Sequence, residues 1–218
     1  MVGLMGIEEL RVGGSVKLRG PIKAGRIDVG GSLHIEGDLE VDSLKIGGSA
    51  SVAGNLKAAE VTVGGAIRVD GSATINNLFK VGGSARIEGG LEGREVVVGG
   101  SIKSKTIRAE VFKLGGSAEA DKIVAREVIV GKKSKVRGEI NACRVVVERD
   151  AEVDKIVGHE VVLKKGAEAS RVEAFKVVIE EGAEVRELLY VETAEIDEGA
   201  RVRKIERAQS ISLELKCV

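Results

Sequence analysis

Along most of this chain apolar residues come in pairs two positions apart, and the pairs recur every five or six residues. Between Gly30 and Ile46 they are Leu33/Ile35, Leu39/Val41 and Leu44/Ile46, with polar residues between the members. A period of two is that of a strand with one buried face. On a helix, residues two apart point in opposite directions, so a helical reading fails. Successive pairs are offset by 6, 5 and 6 residues, which closes a unit of 17. The unit continues through Val61/Val63, Phe79/Val81, Val96/Val98, Val128/Val130, Val145/Val147, Val161/Leu163 and Val177/Ile179. Three short strands per turn predict a three-sided coil around an apolar core.

A second signal keeps the same beat. Gly-Gly-Ser, or a charged stand-in, occurs twelve times at spacings of 16 to 18, from Gly13 through Gly30, Gly47, Gly64, Gly82, Gly99 and Gly115 to Glu198-Gly199-Ala200. Self-similarity at a fixed short period marks a solenoid whose turns stack into one core. The expected fold is therefore all-β, a single-stranded, three-sided parallel β-helix of about 12 turns. Residues 1–12 form an irregular first turn or a short tail, and residues 13–218 form the repeat domain. Its turns are glycine-rich over residues 13–131 and carry charged corners over 132–218.

Details of the turn follow from the same pattern. The extra residue in the turn from Gly64 falls at Asn76-Asn77, in a corner where an insertion costs little. Gly37, Gly54, Gly71 and Gly89 recur at another corner, where a bend with positive φ suits glycine. After Gly131 the corner charge alternates by turn: Lys132/Lys133, Glu148/Asp150, Lys164/Lys165, Glu180/Glu181. Residues one repeat apart stand over one another, so opposite charges would lock the register. The alternation lapses at Asp197/Glu198.

Composition narrows function mainly by exclusion. Thirty-four basic and 34 acidic residues cancel, leaving no net field to hold nucleic acid or an anionic membrane. Phe79, Phe112, Phe175 and Tyr190 are the only aromatic residues, too sparse for a base-stacking surface. No apolar run approaches the ~20 residues of a membrane span, and no signal-peptide pattern opens the sequence. Cys143 and Cys217 lack metal-ligand spacing and read as plain thiols, so a cytoplasmic location is expected. Few Asn and Gln beside 31% charged residues lean toward a thermophile composition.

Catalysis finds little to stand on. His34 alternates between inward residues and should face solvent, and His159 follows the corner glycine Gly158. Zinc chemistry needs three converging ligands, which two histidines do not supply. The hexapeptide β-helix of acyltransferases and γ-type carbonic anhydrases requires a strict six-residue step, whereas five-residue sides are frequent here. The Gly-Gly-Ser corners lack the lysine and following helix of a phosphate loop. No catalytic, cofactor-binding or metal-binding residue is expected, and no nucleotide or nucleic-acid partner.

Repeats such as Gly30-Gly31-Ser32-Leu33-His34-Ile35-Glu36-Gly37-Asp38-Leu39 and Gly47-Gly48-Ser49-Ala50-Ser51-Val52-Ala53-Gly54-Asn55-Leu56 closely resemble bactofilins, a family of polymer-forming cytoskeletal proteins. The resemblance is strong from about Gly13 to Gly100 and moderate beyond Gly131. It implies a right-handed helix that assembles end to end into non-polar filaments without nucleotide. It also implies a scaffolding role, in some members at a membrane, and residues 1–7 with Met1, Leu4 and Ile7 would then touch the membrane surface. The family usually carries flexible tails around a shorter helix, whereas here the repeat fills nearly the whole chain. Similar repeats also serve as non-polymerising scaffold or binding subunits of larger complexes, which is the alternative function.

Exposed strand edges invite pairing unless something covers them. Leu4, Ile7, Leu10 and Val12 near the start, and Ile211, Leu213 and Leu215 near the end, alternate like internal strands. These seven residues are the expected interface of a homopolymer, and Leu213→Lys is expected to stop growth at the C-terminal end.

Overall fold

The computed structural model describes residues 5–217, and among them every regular element is a β-strand. Leu4 and the other residues of 1–4 lie outside the described residues, as does Val218. The strands are parallel and wind as a β-solenoid of about twelve turns. They fall into two compact units, one ending at Arg108 and one beginning at Ala109.

In the first unit each residue pairs with the one a full turn later. Ile22 lies beside Leu39, Leu39 beside Leu56, and Leu56 beside Ala73. The three inward pairs of the turn from Gly30 are all buried, from Leu33 and Ile35 through Leu44 and Ile46. Ile27, Leu44, Val61, Phe79 and Val96 form one inward column and are each 0% exposed. Burying an aliphatic side chain contributes ~1.5–3 kcal/mol against the cost of ordering the chain. A one-residue slip would turn a whole column outward, so the pattern fixes the register. The insertion at Asn76-Asn77 is absorbed as a register shift between Ile75 and Leu78, opposite Ala58 and Glu60.

Three strands per turn is not how the backbone divides. Early turns hold two, such as Ser32–Glu36 and Leu39–Ile46. From Ser84–Val98 onward a turn carries a single long strand. The corner at Asp42-Ser43 drops only the Asp42 pairing from the ladder, so two sides merge into one strand although their inward pairs remain distinct.

The Gly-Gly corners answer to stacking distance. Gly48 N donates to Gly31 O at 3.2 Å, and Gly65 N to Gly48 O at 3.1 Å. A Cβ on Gly65 would lie 2.4 Å from the Gly48 carbonyl oxygen, so any side chain would part the turns. The expectation of positive φ at Gly37, Gly54, Gly71 and Gly89 holds for Gly37 alone, at 148°. At Gly71 the constraint is space, because a Cβ there would meet Asn55 Oδ1 at 2.5 Å.

This second corner is tied by side chains climbing from turn to turn. Asp38 Oδ1 accepts from Asn55 N at 2.6 Å, and Asn55 Oδ1 accepts from Ser72 N at 3.0 Å.

The second unit stacks in the same way, with Ile123, Ile140, Ile156 and Val172 in one column at 0% exposure. Its corners are hydrogen-bonded turns. Ala167 N donates to Lys164 O at 2.9 Å, and Ala183 N to Glu180 O at 3.1 Å. The third turn residue is left-handed: Lys133 at 57°, Asp150 at 59°, Gly166 at 71° and Gly182 at 73°. Charge alternation is realised where Lys164 Nζ meets Glu148 Oε1 at 2.7 Å and Lys165 Nζ meets Glu181 Oε2 at 2.9 Å. Among the described residues no ion pair joins Lys132 or Lys133 to Glu148 or Asp150. The lapse at Asp197 has a reason. Asp197 Oδ2 accepts from Glu181 N at 3.2 Å, as Glu180 Oε2 accepts from Lys165 N at 3.1 Å, so these carboxylates are held by backbone donors of the preceding turn.

Candidate assembly surfaces and a tethered C-terminal arm

The first described turn is less buried than the turn that follows it. Ile7, Leu10, Val12, Val16 and Leu18 are half-exposed. Their partners one turn on are Ala24, Ile27, Val29, Leu33 and Ile35, at 6, 0, 0, 1 and 0% exposure. The two sets occupy equivalent inward positions, and the second has a described turn on either side. Residues 5–12, expected as an irregular turn or tail, contain the regular strand Met5–Val12, which pairs with Ile22–Val29.

The last turn is open in the same sense. Ile205, paired with the buried Leu188, is 50% exposed, and Ile196, paired with the buried Ile179, is 39% exposed. The strand Arg201–Arg207 also carries Arg201, Arg203, Lys204 and Arg207, charges of the kind that discourage indiscriminate edge pairing.

Beyond Arg207 the expectation of a further strand is corrected. Ile211, Leu213 and Leu215 belong to a segment without regular structure that leaves the ladder after Ala208 N donates to Tyr190 O at 2.8 Å. It returns along the flank of the second unit. Glu214 N donates to Asn141 Oδ1 at 3.1 Å, the Glu214 carboxylate meets Lys122 Nζ, and Cys217 is disulfide-bonded to Cys143 with Cα atoms 5.4 Å apart. The reading of two plain thiols is therefore wrong. The alternation itself is real: Ile211, Leu213, Leu215 and Cys217 are half-buried, while Ser212, Glu214 and Lys216 are exposed. It serves docking onto the flank and extends no sheet.

The flank is built for this cover. In the first unit the corresponding outward column reads Lys23, Glu40, Lys57, Thr74 and Glu92. In the second unit it reads Val124, Asn141, Val157, Glu173 and Leu189, of which the first three are 5, 1 and 2% exposed. The arm meets this column at Asn141, through Glu214 N. Beside this column His159 stacks on Phe175, ring centroids 5.2 Å apart, while Cys143 stands one turn before His159. His34 is half-exposed, with Nε2 3.9 Å from Glu36.

Electrostatics concentrate where the arm lands. Glu139 lies 3.2 Å from Lys122 and 2.8 Å from Lys155. Burial pushes its carboxyl up, but hydrogen bonds from Lys155 and Lys122 outweigh that and leave it below the usual value. Hydrogen bonds to Glu214 and then Glu139 hold the Lys122 ammonium above its ordinary range. Elsewhere, a concavity of about 450 Å³ follows the outward side of the second unit, lined by Lys135, Glu152, Glu168, Glu184 and Arg201 among others. Lys135 pairs with Glu152, and Arg201 with Glu184 at 2.9 Å. Among the described residues no group of three or more His, Cys, Asp or Glu is placed to hold a metal ion.

No family model matches the sequence, and no curated protein matches it. Among solved structures, the C-terminal domain of a tapirin from Caldicellulosiruptor hydrothermalis is similar, with a TM-score of 0.52 at 12% identity. What is shared is the fold. The match takes in 98% of this chain but only 59% of the tapirin chain, so this protein spans less than two thirds of that one. The bactofilin resemblance rests on the repeat motif itself.

The arm was the feature hardest to find in the sequence. The two cysteines are 74 positions apart, a separation the repeat gives no reason to join. Two signals were present. Cys217 shares the parity of Ile211, Leu213 and Leu215, and the outward column holds valine at Val124 and Val157.

Proposed function

We propose that this protein is a self-assembling structural element, a bactofilin-like chain that polymerises with itself through the open ends of its β-solenoid and needs no nucleotide. The observation that supports it is the half-exposed apolar set Ile7, Leu10, Val12, Val16 and Leu18, whose counterparts one turn on are buried. Monomeric solenoids generally close such turns with polar caps. Ile196 and Ile205 give the other end the same character. An end-to-end contact of about 1,000 Å² in total lies near the lower bound for a specific interface, so assembly should depend on concentration.

A cytoplasmic location stays within this proposal in a form that accommodates the Cys143–Cys217 bond. Disulfides persist in the cytoplasm of hyperthermophiles, and the scarcity of Asn and Gln fits that setting. A second reading, a scaffold or binding subunit, draws on the charged concavity along the second unit.

Electron microscopy and sedimentation across a concentration series, without nucleotide or metal, test the choice. Filaments above a threshold concentration are expected, lost in Leu10→Lys and in Ile205→Lys. Leu213→Lys should leave growth intact, because Leu213 lies on the flank. Uniform short particles at every concentration, unchanged in these variants, would overturn the polymer reading and promote the scaffold.

A further inference from the structure

The geometry points to the C-terminal arm, residues 208–217, as an exchangeable clasp: it docks on its own flank or on that of a second copy, where Cys217 bonds to that copy's Cys143. This goes beyond end-to-end stacking and does not depend on it, since the flank is separate from either end turn.

Three observations carry the inference. First, the arm is outside the ladder. After Ala208 its polar and covalent holds on the body are the Asn141 hydrogen bond, the Lys122 ion pair and the disulfide, all within residues 214–217, beside the half-buried Ile211, Leu213 and Leu215. Residues 209–213 carry no regular structure, so they can swing without breaking a strand. Second, the flank is specific. Val124 and Val157 stand on either side of Asn141 in the outward column, all three buried, and Asn141, 1% exposed, presents its Oδ1 to the arm. A flank with this chemistry needs an occupant, and the occupant it fits is this segment. Third, the docking contacts are the same whether arm and flank belong to one chain or two. Exchange of an identical element is a low-cost route between protomers. Closure within one chain benefits from an effective concentration on the order of millimolar, so exchange becomes competitive where copies are crowded together, as in a polymer or bundle.

The bond chemistry balances without an oxidant. A low-molecular-weight thiol, as its thiolate, attacks Cys217 Sγ and expels the Cys143 thiolate, leaving a mixed disulfide on Cys217. The freed arm docks on a second copy whose bridge has been opened in the same way. That copy's Cys143 thiolate attacks Cys217 Sγ, forms the intermolecular bond and expels the small thiolate. The first copy's Cys143 thiolate attacks the second copy's Cys217 Sγ in the same way, so two bridges are present before and after and both small thiols are regenerated. Lys122 and Asn141 position the arm in either arrangement by holding Glu214.

Complementary single-cysteine variants provide the test. Cys143→Ser keeps only Cys217, and Cys217→Ser keeps only Cys143, so a mixture can form the native pair only between chains. The two are mixed in a glutathione redox buffer, quenched with a thiol-blocking reagent and resolved without reductant. A covalent heterodimer exceeding either homodimer by about tenfold is expected from docking-directed pairing. Peptide mapping should show Cys143 joined to Cys217. Lys122→Glu in the Cys217→Ser partner should depress the yield, and Glu214→Lys in the other should restore it. Heterodimer no more abundant than the homodimers, or a yield indifferent to the charge swap, overturns the proposal. To guard against misfolding, unmutated protein labelled with heavy nitrogen is mixed with unlabelled protein in the same buffer. Disulfide-linked peptides of mixed label support exchange, and single-label peptides alone at every concentration refute it.

Discussion

Cys217 is bonded to Cys143, a residue on a turn four turns before the one that carries Arg207. The chain thus climbs the second unit strand by strand and then comes back down its outside. The bond closes a loop that contains the strands from Glu152–Leu163 to Arg201–Arg207, so those turns cannot peel away independently of the arm. In a solenoid, where each repeat contacts only its neighbours, terminal turns fray first. The arm converts the last four turns into a cross-linked block.

Opening the bridge should therefore lower stability in that block above all. For a loop closed across 74 positions, the chain-entropy model gives about 4 kcal/mol, with about 2 kcal/mol a reasonable lower figure. Thermal unfolding with and without reductant, and of Cys143→Ser, should show the loss. Hydrogen exchange should place it in residues 184–207 rather than in the first unit. Equal melting in both states would mean that the terminal turns hold without the arm.

The period, the inward columns and the Asn76-Asn77 insertion were all readable because each follows from alternation and repeat length alone. What escaped was whatever the period does not encode. Gly54, Gly71 and Gly89 looked like positions of unusual backbone geometry, yet they serve close stacking, a distance that no single turn reveals. Leu213 looked like an internal strand residue because docking onto a flank imposes the same alternation as joining a sheet. Ile7, Leu10 and Val12 are half-exposed among the first described residues, whereas toward the other end the exposed large apolar residues are Ile196 and Ile205.

Glycines at the stacked corner should separate by position. Gly65→Ala would put a Cβ 2.4 Å from Gly48 O, whereas Gly14→Ala would place one with no atom within 4 Å. The first should cost about 1–3 kcal/mol, as overpacking does, and the second only a few tenths. Chemical denaturation of the two variants checks this, and equal losses would dissociate the corner glycines from stacking.

Ser134 occupies the corner position held by Ala151, Ala167 and Ala183 in later turns, and its Oγ is buried without a hydrogen-bond partner. The alanines at that position are 0% exposed, so the cavity accepts a methyl group. Ser134→Ala should raise stability by about 1 kcal/mol, the scale of leaving a buried hydroxyl unsatisfied. Denaturant midpoints of the two proteins decide it, and a destabilised variant would show that the hydroxyl has a partner.

Exposed charge ladders should matter for register more than for stability. Lys165 and Glu181 are 61% and 67% exposed, so solvent screening leaves their pair only a small contribution. Lys165→Glu should place like charges on neighbouring turns and lose a comparable amount, and adding Glu181→Lys should recover it. The recovery, measured as a double-mutant cycle, should shrink in molar salt. Non-recovery would assign the effect to the turn backbone, where Lys165 N also donates to Glu180.

Acid should release the arm once the bridge no longer masks the equilibrium. Glu139 is held below its ordinary carboxyl value of 4.5, so its contribution is fully present above that value and disappears as pH falls through the lower folded value. Lys122 is held above 10.5, so its contribution is present below that value and is lost as pH rises through the higher folded one. Only the Lys122 shift is made partly by the arm, through Glu214, whereas Glu139 is lowered by Lys155 and Lys122 of the body, so docking should be flat between these limits. In Cys143→Ser carrying a fluorophore on Cys217, anisotropy should hold steady across that window and fall as the solution is taken toward about pH 3, below the usual carboxylate range. Lys122→Met should reduce docking at neutral pH and flatten the acid transition. Anisotropy unchanged down to that acidity would show that apolar contacts of Ile211, Leu213 and Leu215 hold the arm without the Lys122 cluster.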